Sequence, residues 1–188
     1  MNFKEIGIPT IKLFAIATII TVLLFLTNGV TEAKIAQNQA EADVQSRQEV
    51  LPEADGFEEK TIDVDGVTYT YYEATNGAGY VFSSGNKGYG GDVVSMTGIA
   101  ADGTITGVKV TEQAETAGLG AKWAGTDAAG QEKRDQYKGA IPDSGSFAVV
   151  KDGGTIESVA GATITSRAVT NDVNDAIKLF NAVTGGAN

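Results

Sequence analysis

Asp92-Val93-Val94-Ser95-Met96-Thr97-Gly98-Ile99, the pair Asp102-Gly103, and Thr104-Ile105-Thr106-Gly107-Val108-Lys109-Val110 together decide the fold. Two runs rich in β-branched residues flank an Asp-Gly pair, the residue pair that a tight hairpin turn prefers. A side-chain period of two puts Val93, Ser95 and Thr97 on one face, with Val94, Met96 and Gly98 on the other. Toward the N-terminus, Thr61-Ile62-Asp63-Val64-Asp65-Gly66-Val67-Thr68-Tyr69-Thr70-Tyr71-Tyr72 alternates about a second Asp-Gly pair. Ala78-Gly79-Tyr80-Val81-Phe82 adds another strand before a glycine cluster at 85–91. The reading is an antiparallel meander.

Toward the C-terminus, Gly118-Leu119-Gly120 precedes a short helix at 121–124. Residues 131–137 read as a further helical turn, and Ser146-Phe147-Ala148-Val149-Val150 reads as a late strand. Val169, Val173, Ala176, Ile177 and Phe180 fall at i, i+4, i+7, i+8 and i+11, one stripe of an amphipathic helix. Thr165 or Ser166 is expected to cap that helix, and Gly185-Gly186 to end it. No internal repeat is present. The fold class is α+β: a curved antiparallel sheet with packed helices, preceded by one N-terminal transmembrane helix. The 24 glycines, set between hydrophobic strand patterns, fit bulges and close backbone approach.

Residues 13–31 carry no charged side chain. About 19 residues at roughly 1.5 Å each just span a hydrocarbon core of about 30 Å. Lys4 and Lys12 precede the run, while Glu32, Glu41 and Asp43 follow it. The positive-inside rule then puts the N-terminus in the cytoplasm and the remainder outside. A cleaved signal peptide competes, but only Thr31-Glu32-Ala33 resembles a cleavage site and the apolar run is long for one. An uncleaved anchor is the preferred reading. Residues 33–51, rich in Ala, Gln and Glu, continue as a helical stalk until Pro52 and the turn Asp55-Gly56. The organisation is thus 1–32 as cytoplasmic tip and anchor, 33–56 as stalk or linker, and 57–188 as the folded extracytosolic domain.

The chain has 188 residues, neither Cys nor His, and a net charge of −10. Those absences exclude Cys-ligated iron–sulfur clusters, His-ligated haem, His/Cys zinc sites, His-dependent triads and disulfides. Redox chemistry has to come from a bound organic cofactor or a partner. The first twelve residues carry a net +1, which leaves about −11 on the rest and sets aside any nucleic-acid role.

One stretch carries candidate chemistry. In Glu157-Ser158-Val159-Ala160-Gly161-Ala162-Thr163-Ile164-Thr165-Ser166-Arg167, small residues deliver a threonine hydroxyl to the start of the last helix. Free amides and the positive end of the helix dipole suit a phosphate there. An ordinary strand-to-helix turn with Ser/Thr caps satisfies the same pattern. Glu115-Thr116-Ala117-Gly118-Leu119-Gly120 is a second such element, in which paired glycines let backbone approach a planar or anionic ligand.

Ala160-Gly161-Ala162-Thr163 resembles the S/T-G-A-T element of FMN-binding domains, and residues 115–120 resemble that family's E-T-P-G-L-G segment. Tyr89-Gly90-Gly91 and Asp102-Gly103-Thr104-Ile105-Thr106-Gly107 are similar to its G-Y-G-G and D-G-x-I-x-G patterns. The elements occur in family order over roughly residues 78–183. Within the family, the length and single anchor look like the G subunits of Rnf ion-translocating ferredoxin:NAD oxidoreductase complexes. A likeness to the C subunits of sodium-pumping NADH:quinone oxidoreductases is the alternative.

The resemblance implies FMN held covalently through a phosphoester to Thr163, attached by a flavin transferase. Gly161 and Ala162 would leave room for it, and Thr165 with the first helical amides would bind phosphate oxygens. Glu115, Thr116, Leu119 and Gly120 would border the isoalloxazine ring, with Leu119 over an apolar face. Arg167 is read either as offsetting phosphate charge or as a surface residue, and Trp123 and Tyr89 either as core or as flavin-stacking. Glu157 stands where Asp is usual and Ala160 where Ser or Thr is usual. Those departures keep open an anchored module that binds FMN non-covalently, or a structural exported domain without flavin. The implied role is an electron-transfer subunit with redox and integral-membrane partners, not an enzyme acting alone.

Overall fold

The computed structural model describes residues 3–185. Gly186, the second residue of the expected helix stop, Met1 at the tip of the anchor, and the side chains of Lys4 and Glu5 lie outside the described residues. The chain forms two compact units, Met1–Val44 and Gln45–Asn188. The first is the greater part of helix α1 (Phe3–Val50). Among the described residues, Gly7–Gly29 of this helix is the one stretch long and apolar enough to cross a membrane, and none of it is buried. Its threonines do not break the apolar surface: the hydroxyls of Thr18, Thr21 and Thr27 each donate to the carbonyl four residues back at 2.8 Å.

The second unit is built on six antiparallel strands in chain order: β1 (Phe57–Val64), β2 (Val67–Ala74), β3 (Gly79–Lys87), β4 (Asp92–Ala100), β5 (Thr104–Glu112) and β6 (Gly139–Ala140). The β1–β2 hairpin turns on Asp65 (φ 54°) and Gly66 (φ 80°), the pair of positive-φ residues that the strand twist demands. Register shifts between Val94/Ser95 and Gly98/Ile99 bend the β4–β5 pair and curve the sheet. Helix α2 (Ala128–Asp135) starts earlier than 131 because Asp127 caps it, accepting from the amide of Gly130 at 3.0 Å.

Helix α3 (Thr163–Thr184) covers one face of the sheet. Its stripe of Val169, Val173, Ala176, Ile177 and Phe180 packs with Phe82, Val93, Ile99 and Ile105 in the main core. The other face is covered by the end of α1 and the segment after it: Val50, Leu51 and Ala54 pack on Ala74, Val81 and Met96. Full burial of an aliphatic side chain such as Leu51 contributes about 1.5–3 kcal/mol. The cross-strand pair Gly98 and Gly107 makes that contact possible. A Cβ at Gly98 would collide with the Val50 carbonyl oxygen, and one at Gly107 would stand 3.0 Å from Val50 Cα. The Thr106 hydroxyl donates to that same carbonyl, and Lys109 pairs with Glu49 at 2.5 Å. Residues 45–56, read from sequence as stalk, thus belong to the folded unit.

Two expectations fail. Residues 146–150 form no strand; Asn174 of α3 instead grips Phe147, accepting from its amide at 2.8 Å and donating to its carbonyl at 2.9 Å. Only Val149 makes a bridge, to Ile156, and the sixth strand is the short Gly139–Ala140. Neither Thr165 nor Ser166 caps α3. The helix begins at Thr163 with Ala162 at the cap position and no side-chain cap bond, so both residues lie within its first turn.

Candidate functional site

Three loops meet at one end of the sheet: residues 88–91 between β3 and β4, residues 113–120 after β5, and the turn 158–162 that leads into α3. Glu115 joins them. One carboxylate oxygen accepts from the Gly90 amide at 2.8 Å, and the other accepts from the Thr165 hydroxyl at 2.5 Å. Burial pushes the Glu115 carboxyl up, but the Thr165 hydroxyl and the amides of Gly90, Tyr89 and Gly91 outweigh it and hold it below its usual range. Gly120 lies so close that a Cβ there would stand 2.6 Å from both Glu115 Oε2 and Thr165 Oγ1. Gly161 takes φ +77°, which turns the chain into α3 with its Cα facing the Leu119 side chain.

These groups enclose a pocket of about 410 Å³ lined by Tyr89, Glu115, Thr116, Leu119, Gly120, Gly161, Ala162 and Thr165. Seven of the eight residues singled out from sequence are among them. The eighth, Thr163, follows Ala162 directly and is half-buried. Its hydroxyl accepts a hydrogen bond from Lys151 Nζ at 2.9 Å. Leu119 is 41% exposed and Tyr89 is 76% exposed, so both offer apolar area to a ligand. Trp123 is core instead, at 1% exposure. Arg167 is held by a two-pronged pair with Asp152 at 2.6 and 2.7 Å, and Glu157 pairs with Lys133 at 3.3 Å.

Two functional neighbours escaped the sequence reading. Lys151 lies twelve positions before Thr163 across Gly153-Gly154, and no periodicity links them. Ser166 is a hub rather than a cap. Its hydroxyl donates to the Ala162 carbonyl at 2.9 Å and accepts from the Val159 amide at 3.2 Å and from Trp123 Nε1 at 3.1 Å. Buried Arg134 fixes the Trp123 end, donating to the carbonyls of Trp123 (2.6 Å) and Gly125 (2.8 Å). The turn presenting Thr163 is therefore bonded from three sides. That rigidity is what a site holding a ligand to sub-ångström accuracy needs.

The residues suit a flavin mononucleotide. The pocket volume lies within the usual range for small ligands, apolar side chains and glycine backbone flank it, and convergent polar groups are few. At its edge the first turn of α3 has no side-chain cap, and a lysine ammonium stands beside its first hydroxyl. A phosphate calls for that donor set.

Comparison with known proteins agrees with this chemistry. Residues 88–178 match the FMN-binding domain, which sets the class of protein. The chain is 36% identical to the G subunit of the Na(+)-translocating ferredoxin:NAD(+) oxidoreductase complex of Acetobacterium woodii, over 89% of this chain and 88% of that one. It is 32% identical to the G subunit of an ion-translocating oxidoreductase complex of Methanosarcina acetivorans, over 97% and 98%. The chain belongs to this family of FMN-binding-domain G subunits. Its fold is also that of the C subunit of Na(+)-translocating NADH-quinone reductase in the crystal structure from Parabacteroides distasonis, with TM-score 0.56 and 23% identity over 79% of this chain and 92% of that one.

Proposed function

We propose that this chain is the FMN-bearing electron-transfer subunit of a membrane-bound ion-translocating ferredoxin:NAD oxidoreductase complex, with FMN joined through a phosphoester to Thr163. The observation that carries the reading is the Thr163 hydroxyl at the uncapped start of α3, adjoining a pocket lined by Leu119, Glu115 and Thr165. When bound, FMN supplies reversible electron acceptance, which side chains lacking Cys and His do not. The chain's own residues bind and orient. Leu119 and Tyr89 give apolar area, and Gly120 and Gly161 allow close backbone approach. Glu115 keeps a negative charge at the pocket wall, which disfavours added electron density there and sets a lower potential. Residues 1–32 anchor the chain with the N-terminus in the cytoplasm, and the domain works outside the membrane beside integral-membrane and redox partners. A flavin transferase matures it.

The test is the intact mass of the full-length chain co-expressed with a flavin transferase. The expected result is an FMN-minus-water adduct that Thr163→Ala abolishes; an unmodified wild-type mass would sink the covalent attachment. A second reading, non-covalent FMN, draws support from Ala160 and from Glu157, whose carboxylate is engaged by Lys133. Yellow colour kept through native handling and lost on denaturation would favour it.

A further inference from the structure

Lys151 sits in a 3₁₀ turn, Val150–Asp152, that no sequence pattern marks. The turn is stiffly held. The Val150 amide donates to the Ile156 carbonyl at 2.9 Å, the Gly154 amide to the Val149 carbonyl at 3.1 Å, and Asp152 is clamped by Arg167 from the first turns of α3. The clamp ties Lys151 to the helix that starts at Thr163. Arg167 spends its charge on Asp152 and Lys133 spends its own on Glu157, whereas Lys151 makes no ion pair within 4.0 Å among the described residues. Its ammonium points at Thr163 Oγ1 over 2.9 Å. A hydroxyl that accepts from an ammonium keeps its own hydrogen free, and the adjacent positive charge favours the developing oxyanion.

We infer that Lys151 is the positioning residue and phosphate partner of Thr163: its ammonium orients the hydroxyl during flavin attachment and pairs with the phosphodiester afterwards. This rests on the covalent reading above. In the attachment step the Thr163 Oγ–P bond forms and the pyrophosphate P–O bond of a flavin dinucleotide breaks. A nucleoside monophosphate leaves, the hydroxyl proton passes to a base of the transferase, and nothing is oxidised or reduced. The product carries one negative charge on the two free oxygens of the phosphorus bonded to Oγ, within reach of the ammonium with little movement. Arg167, the cation nearer in sequence, holds the Lys151 turn instead of the phosphate.

The experiment uses the full-length chain in detergent with purified flavin transferase and FAD, following intact mass over time for wild type, Lys151→Gln and Lys151→Arg. Loss of one charge-assisted hydrogen bond predicts attachment slowed about ten- to a hundredfold in the Gln variant, with substantial recovery in the Arg variant. The ³¹P resonance of the flavinylated protein should also shift between wild type and Lys151→Gln, a readout independent of electron transfer. Lys151 is exposed, so equal thermal midpoints check that folding is unchanged. A Gln variant modified at the wild-type rate, with an unmoved phosphorus resonance, would overturn the role of Lys151 while leaving Thr163 attachment intact. A wild-type chain that takes no adduct would overturn both.

Discussion

At the first turn of α3, Thr165 donates to the carboxylate of Glu115; two turns further along, Asp172 accepts from Ser95 Oγ at 2.7 Å and Asn86 Nδ2 at 2.9 Å. Both pairs fasten the same helix, seven residues apart and so on one face, the first to the loop after β5 and the second to strands β3 and β4. Their surroundings differ. Glu115 is half-buried and collects backbone amides, so its charge is favoured and its pKa is lowered. Asp172 has no exposed surface, and burial pushes its pKa up to about 7 against the pull of Ser95 and Asn86, with Asp175 beside it adding to the rise. A carboxylate at the wall of an open pocket stays ionised because water, a hydroxyl and amides reach it. The same group used as a core fastener becomes a proton holder.

The largest expected effect follows from that contrast. Between the usual aspartate value of 3.8 and about 7, folded Asp172 keeps a proton that the unfolded chain has released. Its contribution to stability is therefore full at low pH and lost as pH rises through this window, on the order of 4 kcal/mol. Thermal unfolding of the full-length chain from pH 4 to pH 8 should show this decline, and Asp172→Asn should flatten it. An Asp172→Asn chain with the wild-type slope would break the comparison. Next in size, Asp172→Ala at pH 6 strands the Ser95 hydroxyl in the core and leaves a void there, while half-buried Asn86 keeps its bond to Asp175; it should cost about 3 kcal/mol in a denaturant titration.

Glu115→Gln should cost only about 1 kcal/mol, because one oxygen must serve two donors while water remains within reach. The pH sign reverses here: the folded pKa lies below the usual 4.5, so the stabilisation is present above that value and disappears as pH falls through the folded one. An acid limb shared by wild type and Glu115→Gln would contradict that sign. Smallest is Arg167→Ala at the exposed Asp152 pair, where solvent screening leaves little to lose and the denaturation midpoint is expected to stay within experimental scatter of wild type.

The sequence made the α3 side of the unit readable and left the opposite side obscure. Val169, Val173, Ile177 and Phe180 repeat at a helical period, and Asp65-Gly66 announces its turn, because both signals are local. The glycines as a set fit bulges and close approach, but nothing in the sequence singles out Gly98 and Gly107 or says that what approaches them is the backbone of Val50, some fifty residues away. The pocket divides in the same way. Gly161, Ala162 and Thr165 stand in one contiguous motif, and Glu115, Leu119 and Gly120 in another. Lys151 and Ser166 act through partners that only folding brings near. The mistaken strand at 146–150 has the same cause: its short apolar run, Phe147 to Val150, is real, but Asn174 takes the backbone groups of Phe147 that a ladder would need.

The strands pair in chain order, each with the one made just before it. Such a sheet assembles from short-range closures, whereas α3 must return from the far end of the chain to reach β3 and β4. The first turn of α3 gains its bonds to Glu115 and Trp123 only once that return is complete, whereas Lys151 and Asp152 reach Thr163 and Arg167 from within the same short stretch of chain. Pulsed hydrogen exchange during refolding should accordingly find hairpin amides protected before those of α3.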